Sequence, residues 1–191
     1  MSERRMTRGL WLLLVLGCGN NLPPPGTCVV ATGGQTVDVA LVALPGGPAS
    51  FDDLRYSPEL KRVVAAPHGT GRISLIDPDS LALQNLTAPP GTESADASAT
   101  TVYAADRAND RIVAIDIASG ATVATGRVPG TPDYVRFSPE TSEVWVSLPA
   151  TNRLEILDSG SLAAIGSVTL PAPPEGLTLD GERAYSNATA A

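Results

Sequence analysis

The chain has 191 residues, 43% of them hydrophobic and 17% charged, which suits one packed domain and argues against wholesale disorder. Aromatics are only 4%, while Gly 18 and Pro 17 are plentiful, so the core must rest on Val, Ile, Leu and Ala and the chain must turn often. A formal charge of −7, with no run of basic residues beyond the first ten positions, argues against a nucleic-acid partner, because phosphate contacts need clustered Lys and Arg.

Residues 1–17 have the anatomy of an export signal. Arg4, Arg5 and Arg8 form a positive n-region, and Leu10 to Leu16 form an apolar h-region. That run is well short of the roughly 20 residues a spanning helix needs. Val15-Leu16-Gly17-Cys18 resembles the lipobox of bacterial lipoproteins. The resemblance implies cleavage before Cys18, a diacylglyceryl group on its sulfur, and residues 18–27 as a Gly/Asn/Pro tether to the membrane. An ordinary secretory signal without lipidation is the alternative. Cys28 then stays as a single thiol, a Cys18–Cys28 disulfide being the other arrangement that an oxidising compartment permits. Processing leaves ten basic against nineteen acidic residues, a formal charge of −9, so acyl chains and not anionic headgroups would hold the protein at the membrane.

Residues 28–191 form a series of repeats. Cys28 to Thr32 and Val37 to Leu44 read as strands of an early, partial unit. Arg62-Val63-Val64-Ala65-Ala66 followed by Arg72-Ile73-Ser74-Leu75-Ile76-Asp77 is the first clear copy. Thr101-Val102-Tyr103-Ala104-Ala105 with Arg111 to Asp116 is the second, and Glu143-Val144-Trp145-Val146-Ser147 with Arg153 to Asp158 is the third. The three Arg positions are 39 and 42 residues apart. Gly176 to Gly181 and Arg183 to Asn187 begin a fourth copy. Within a copy the pattern predicts four short strands, as in Tyr134 to Phe137, Val144 to Leu148, Arg153 to Leu157 and a fourth after the Asp158 to Ser161 turn. A period near 40 with four strands per unit is the signature of a β-propeller blade. Helical repeats are disfavoured by the Gly and Pro density and by the lack of helical apolar spacing. The expected fold is therefore all-β, an apparently incomplete propeller of about four to five blades whose last blade is cut short.

The copies resemble the YVTN family of β-propellers, found in bacterial and archaeal cell-surface and periplasmic proteins. Val102-Tyr103-Ala104-Ala105-Asp106, Asn109-Asp110-Arg111 and Ile115-Asp116-Ile117-Ala118-Ser119-Gly120 carry the resemblance, and Arg183-Ala184-Tyr185-Ser186-Asn187 comes nearest to the namesake tetrapeptide. The third copy departs from it, with Trp145 for the aromatic. The resemblance implies fold more than function, since one scaffold serves many activities.

No catalytic, metal or cofactor constellation is legible. His68, the only histidine, sits in the turn Pro67-His68-Gly69-Thr70-Gly71 without ligand-spaced partners and reads as a solvated turn residue. There is no Cys-x-x-Cys-His haem signature and no paired Cys/His zinc pattern, so no cofactor is expected. Asp77, Asp116 and Asp158 recur at the end of strand three, where an Asp readily accepts bonds from turn amides. Arg72, Arg111 and Arg153 open strand three and read as solvated or structurally paired. Gly69-Thr70-Gly71 is too short for a phosphate loop. Tyr103 and Trp145 read as blade packing, and the sequons at Asn85 and Asn187 as chance matches. The expected function is an exported binding or interaction module, lipid-anchored through Cys18 at the bacterial cell envelope, with a protein or small molecule as ligand. The alternatives are a lyase or dehydrogenase-like enzyme on the same scaffold, with part of its site in further blades, and a structural surface-layer component.

Overall fold

The computed structural model of the protein describes residues 40–188 apart from 48 and 182, together with the backbone of 30–32 and 35–37. The chain divides into two compact units, Met1–Pro48 and Ala49–Ala191. In the first, β1 (Val30–Thr32) and β2 (Gln35–Val37) form an antiparallel hairpin with Val30 opposite Val37. Of the strand expected over Val37 to Leu44, Val37 belongs to β2, and the described residues 40–47 hold no continuous strand. Just past that stretch Pro45 cannot donate a ladder bond, and Gly46 and Gly47 take φ of 117° and 83° and turn the chain.

The second unit contains three four-stranded antiparallel meanders. Blade I is β3 (Leu54–Ser57), β4 (Arg62–Ala65), β5 (Arg72–Ile76) and β6 (Leu83–Thr87). Blade II is β7 (Thr92–Ala97), β8 (Thr101–Asp106), β9 (Arg111–Asp116) and β10 (Thr122–Arg127). Blade III is β11 (Val135–Ser138), β12 (Glu143–Leu148), β13 (Arg153–Asp158) and β14 (Ala164–Thr169). A hairpin of β15 (Thr178–Asp180) and β16 (Arg183–Tyr185) follows.

Side chains shape the turns that set this order. Ser57 Oγ accepts the Leu60 amide after the first strand of blade I, and Ser138 Oγ accepts the Thr141 amide at the matching place in blade III. After the third strands, Asp77, Asp116 and Asp158 each accept the amide of the serine three residues on, at 2.9, 2.8 and 2.8 Å. Each such turn ends on a left-handed residue: Leu81, Gly120 or Leu162, with φ of 59°, 70° and 56°. Glycine takes that region freely, whereas Leu162 is kept there by burial of its side chain between blades II and III.

Two apolar layers hold the blades face to face. Val64, Ile73 and Leu75 of blade I pack on Ala95, Val102, Val113 and Ile115 of blade II. Tyr103 and Ile112 of blade II pack on Val135, Val144 and Leu157 of blade III, and the Tyr103 and Phe137 rings stack with centroids 5.5 Å apart. Tyr103 is therefore core. Trp145, on the other face of blade III, is half-buried and donates Nε1 to Glu143 at 2.9 Å.

Candidate functional site

The innermost strands β3, β7 and β11 carry polar residues where an isolated sheet would carry apolar ones, and these residues tie blade to blade. Ser94 Oγ donates to Asp53 Oδ2 at 2.6 Å and accepts the Val135 amide at 3.1 Å. Arg55 Nε donates to Asp96 Oδ2 at 3.2 Å, and the same oxygen accepts the Phe137 amide at 3.0 Å. Each of these four bonds joins residues 41 apart, so the repeat period reappears as a lattice of bonds. Burial pushes the Asp96 carboxyl up, against the pull of Arg55 and of the amides it accepts. Arg136 then reaches across to blade I, donating Nη1 to Asp53 Oδ2 at 2.7 Å and Nη2 to Asp53 Oδ1 at 3.0 Å. Both partners are buried, and the fork geometry satisfies both carboxylate oxygens.

At the end of the blades where second strands pass into third strands, a chain of charges crosses all three. His68 Nδ1, from the turn after β4, meets Glu93 of β7. Arg107 Nη1, from the 3-10 turn Arg107–Asn109 after β8, meets Glu93 Oε2 at 2.8 Å and Asp133 Oδ1 at 2.6 Å. Asp133 is pushed up to about 6, first by burial and then by the like charges of Asp52, Glu175 and Glu93, with Arg107 opposing. Burial, together with Asp52, Asp53 and Asp133, also raises the neighbouring Tyr134 hydroxyl, whose ring lies 5.2 Å from the Arg136 guanidinium carbon.

Beside this chain lies an open groove of about 480 Å³. Its walls are Tyr134, Arg136, Leu177, Thr178, Tyr185 and Asn187. A Cβ on Gly176 would stand 2.6 Å from Asn187 Oδ1, so a larger residue there would push the Asn187 amide out of its present position beside the groove. The ring of Tyr185 remains exposed, the guanidinium of Arg136 is neutralised by Asp53, and Thr178 and Asn187 add hydroxyl and amide groups. Such a surface can stack an organic ligand and hydrogen-bond it.

The residues singled out from sequence are scattered. His68 is half-exposed, as a turn histidine should be, but it has a partner in Glu93, which stands on the next blade and so was invisible to local spacing. Asp77, Asp116 and Asp158 cap turns at the opposite end of the blades and form no common site. Arg111 pairs with Asp106 at 2.6 Å and Arg153 with Glu155 at 2.8 Å, while Arg72 is exposed, so these do not make a ring for an anion. Thr70 Oγ1 bonds its own turn at Pro67 O, 2.8 Å away, and Asn85 accepts Ser74 Oγ at 2.7 Å. Asn187 lines the groove. Cys18 and Cys28 lie outside the described residues. Among the described residues no group of three or more His, Cys, Asp or Glu side chains is arranged to hold a metal ion. The groups missed by the sequence reading are Asp53, Glu93, Ser94, Asp96, Arg107, Asp133 and Arg136. One signal for them was present: Asp52, Glu93, Asp133 and Glu175 place an acid at or just ahead of the start of the first strand in successive copies, 40 to 42 residues apart.

No family model and no curated protein matches the chain. Solved structures do. The chain is similar to hydrazine synthase of Kuenenia stuttgartiensis, with TM-score 0.58 and 14% identity over 65% of this chain and 37% of that one. It is also similar to apo AztD from Citrobacter koseri, with TM-score 0.55 and 16% identity over 76% of this chain and 42% of that one, and a second structure of that protein gives the same values. The chain thus spans about two fifths of the length of these solved chains. With its stacked four-stranded meanders, the protein is all-β and of the β-propeller class.

Proposed function

We propose that the protein is an exported, lipid-anchored β-propeller of YVTN type that acts as a binding module at the bacterial cell envelope, with its ligand seated in the groove between Tyr134 and Tyr185. The observation that carries this reading is the groove itself: aromatic walls and hydrogen-bonding groups held on a lattice of interblade bonds that fixes the inner strands. Rigid placement of Tyr134 and Arg136 lowers the ordering cost of binding. The repeat residues Val102 to Asp106 and Arg183 to Asn187 support the YVTN assignment, and Arg4 to Cys18 supports export and lipidation at Cys18.

A thermal-shift panel of sugars, amino acids and polyamines tests the groove. At least one member is expected to raise the midpoint, and Tyr185→Ser is expected to abolish that rise while leaving the unliganded midpoint near its original value. A ligand that stabilises Tyr185→Ser as well as the parent binds elsewhere and ends the groove reading. Globomycin should leave a prolipoprotein uncleaved; unchanged processing ends the lipid-anchor reading.

A further inference from the structure

Blade III buries one face against blade II and leaves much of the other open. Val144 and Leu157 pack on blade II, while Trp145 and its cross-strand partner Ile156 lie on the opposite face. Val168 joins them there, standing opposite Leu154, two residues before Ile156. Trp145 and Ile156 are half-buried and Val168 is 41% exposed. The same positions in blade II are closed. Tyr103 and Ala114 are again cross-strand partners, Gly126 stands opposite Ile112, and Tyr103, Ile112 and Ala114 are all buried. The outer half of the following blade closes them: Leu157 of β13 packs into this layer, and the Leu162 turn between β13 and β14 lies against Gly126.

Over blade III the described residues supply only an inner half. β15 and β16 cover the β11–β12 side, where Leu179 and Arg183 meet Ser138 and Trp145 around a small pocket. Among the described residues the outer edge of β16 makes no backbone bond, so its ladder groups and the apolar strip of β13 and β14 are open together. Nothing blunts that edge. Register shifts kink the outermost strands of blades II and III, which discourages pairing there, whereas β15 and β16 pair in continuous register.

We propose that the β16 edge and the strip of Ile156 and Val168 form a docking surface for an extended strand pair of a partner polypeptide, whose first strand adds to β16. The chemistry of the occupant follows from the two interfaces that are already closed. Over blade I the third strand of the next blade brings Val113 and Ile115 at alternate positions, and over blade II it brings Leu157, with Leu162 from the turn. Both strands end on an Asp whose side chain caps that turn, Asp116 and Asp158. The partner that fits is therefore a hairpin with alternating apolar residues on its first strand and an Asp-initiated turn. Main-chain bonds to β16 supply affinity, and the alternate side chains supply selectivity. The surface is distinct from the groove, which no residue of β13 or β14 lines.

A synthetic peptide of Arg111–Arg127, the β9–β10 hairpin, serves as the probe, with a scrambled peptide of the same composition beside it. In the full-length chain carrying Trp11→Phe, Trp145 is the single tryptophan. Its emission is expected to shift to the blue on saturable binding, with a Kd below about 1 mM. The amides of Arg183–Tyr185 should gain protection from hydrogen exchange at the same time. Val168→Asp charges the strip at an exposed position and should weaken binding at least about tenfold. Val123→Asp, at an apolar position of blade II that is 60% exposed, should leave binding unchanged. No saturable binding, equal binding of the scrambled peptide, a Kd unmoved by Val168→Asp, or equal weakening by Val123→Asp overturns the proposal. A dimer that Val168→Asp dissociates in sedimentation also overturns it, because the surface then belongs to a second copy of the chain.

Discussion

Asp53 and Arg136, 83 residues apart, form a two-pronged ion pair at 2.7 and 3.0 Å that spans blades I and III over the intervening Ser94. Two inner strands that share no sheet are thereby fixed to each other. Arg136→Ala leaves a buried carboxylate without its cation and should cost about 3–5 kcal/mol in chemical denaturation. Replacing both residues with apolar ones of similar volume should recover most of that loss. A single-variant cost below about 1 kcal/mol would mean the pair is not buried as described.

Gly126 of β10 lies against the Leu162 turn of blade III, where an added Cβ would stand 2.8 Å from Leu162 Cβ and closer to its carbonyl oxygen. Gly126→Ala should destabilise by about 1–3 kcal/mol through overpacking. The matching test on Gly120, whose Cβ would meet nothing within 4 Å, probes only its φ of 70° and should cost about 1–2 kcal/mol.

Leu81 and Leu162 share one left-handed turn position but differ in burial. Leu162→Gly removes a core side chain and should cost about 2–5 kcal/mol despite the relief of backbone strain. Leu81→Gly, where the side chain is only partly buried, should fall between neutral and about 1 kcal/mol stabilising. Thermal midpoints of the two variants should therefore move far apart.

Two sets of aspartates set the pH profile of stability in opposite directions. Hydrogen bonds from Ser80, Ser119 and Ser161 hold Asp77, Asp116 and Asp158 below their ordinary 3.8. Their contribution is present above that value and is lost as pH falls below it. Asp133, raised to about 6, and Asp96, also raised, act the other way, and stability rises as pH falls through the Asp133 value. The midpoint should therefore peak between about pH 4 and 6. Asp133→Asn should flatten the neutral side of the curve, and a triple Asp→Ala change at 77, 116 and 158 should flatten the acid side.

Much of the architecture was readable because it is local and repeated. Arg153 to Asp158, the Asp-to-Ser turn after it and the matching residues near 72 and 111 repeat closely enough to mark strands, turns and blades. Of the early strand over Val37 to Leu44, only Val37 is paired, in β2, and residues 40–44 hold no continuous strand: apolar residues alone do not supply a partner strand.

By itself, then, the sequence determined the blade: alternation, turn residues and period depend on neighbours a few positions away, and these are written in order along the chain. Only the tertiary structure decided the site. Asp53 meets Arg136, Glu93 meets His68, and Arg107 meets Asp133 because packing stacks equivalent strands 41 residues apart and faces their ends toward one another. Burial then turned Asp133, an unremarked acid before a strand, into a group that changes charge in mild acid.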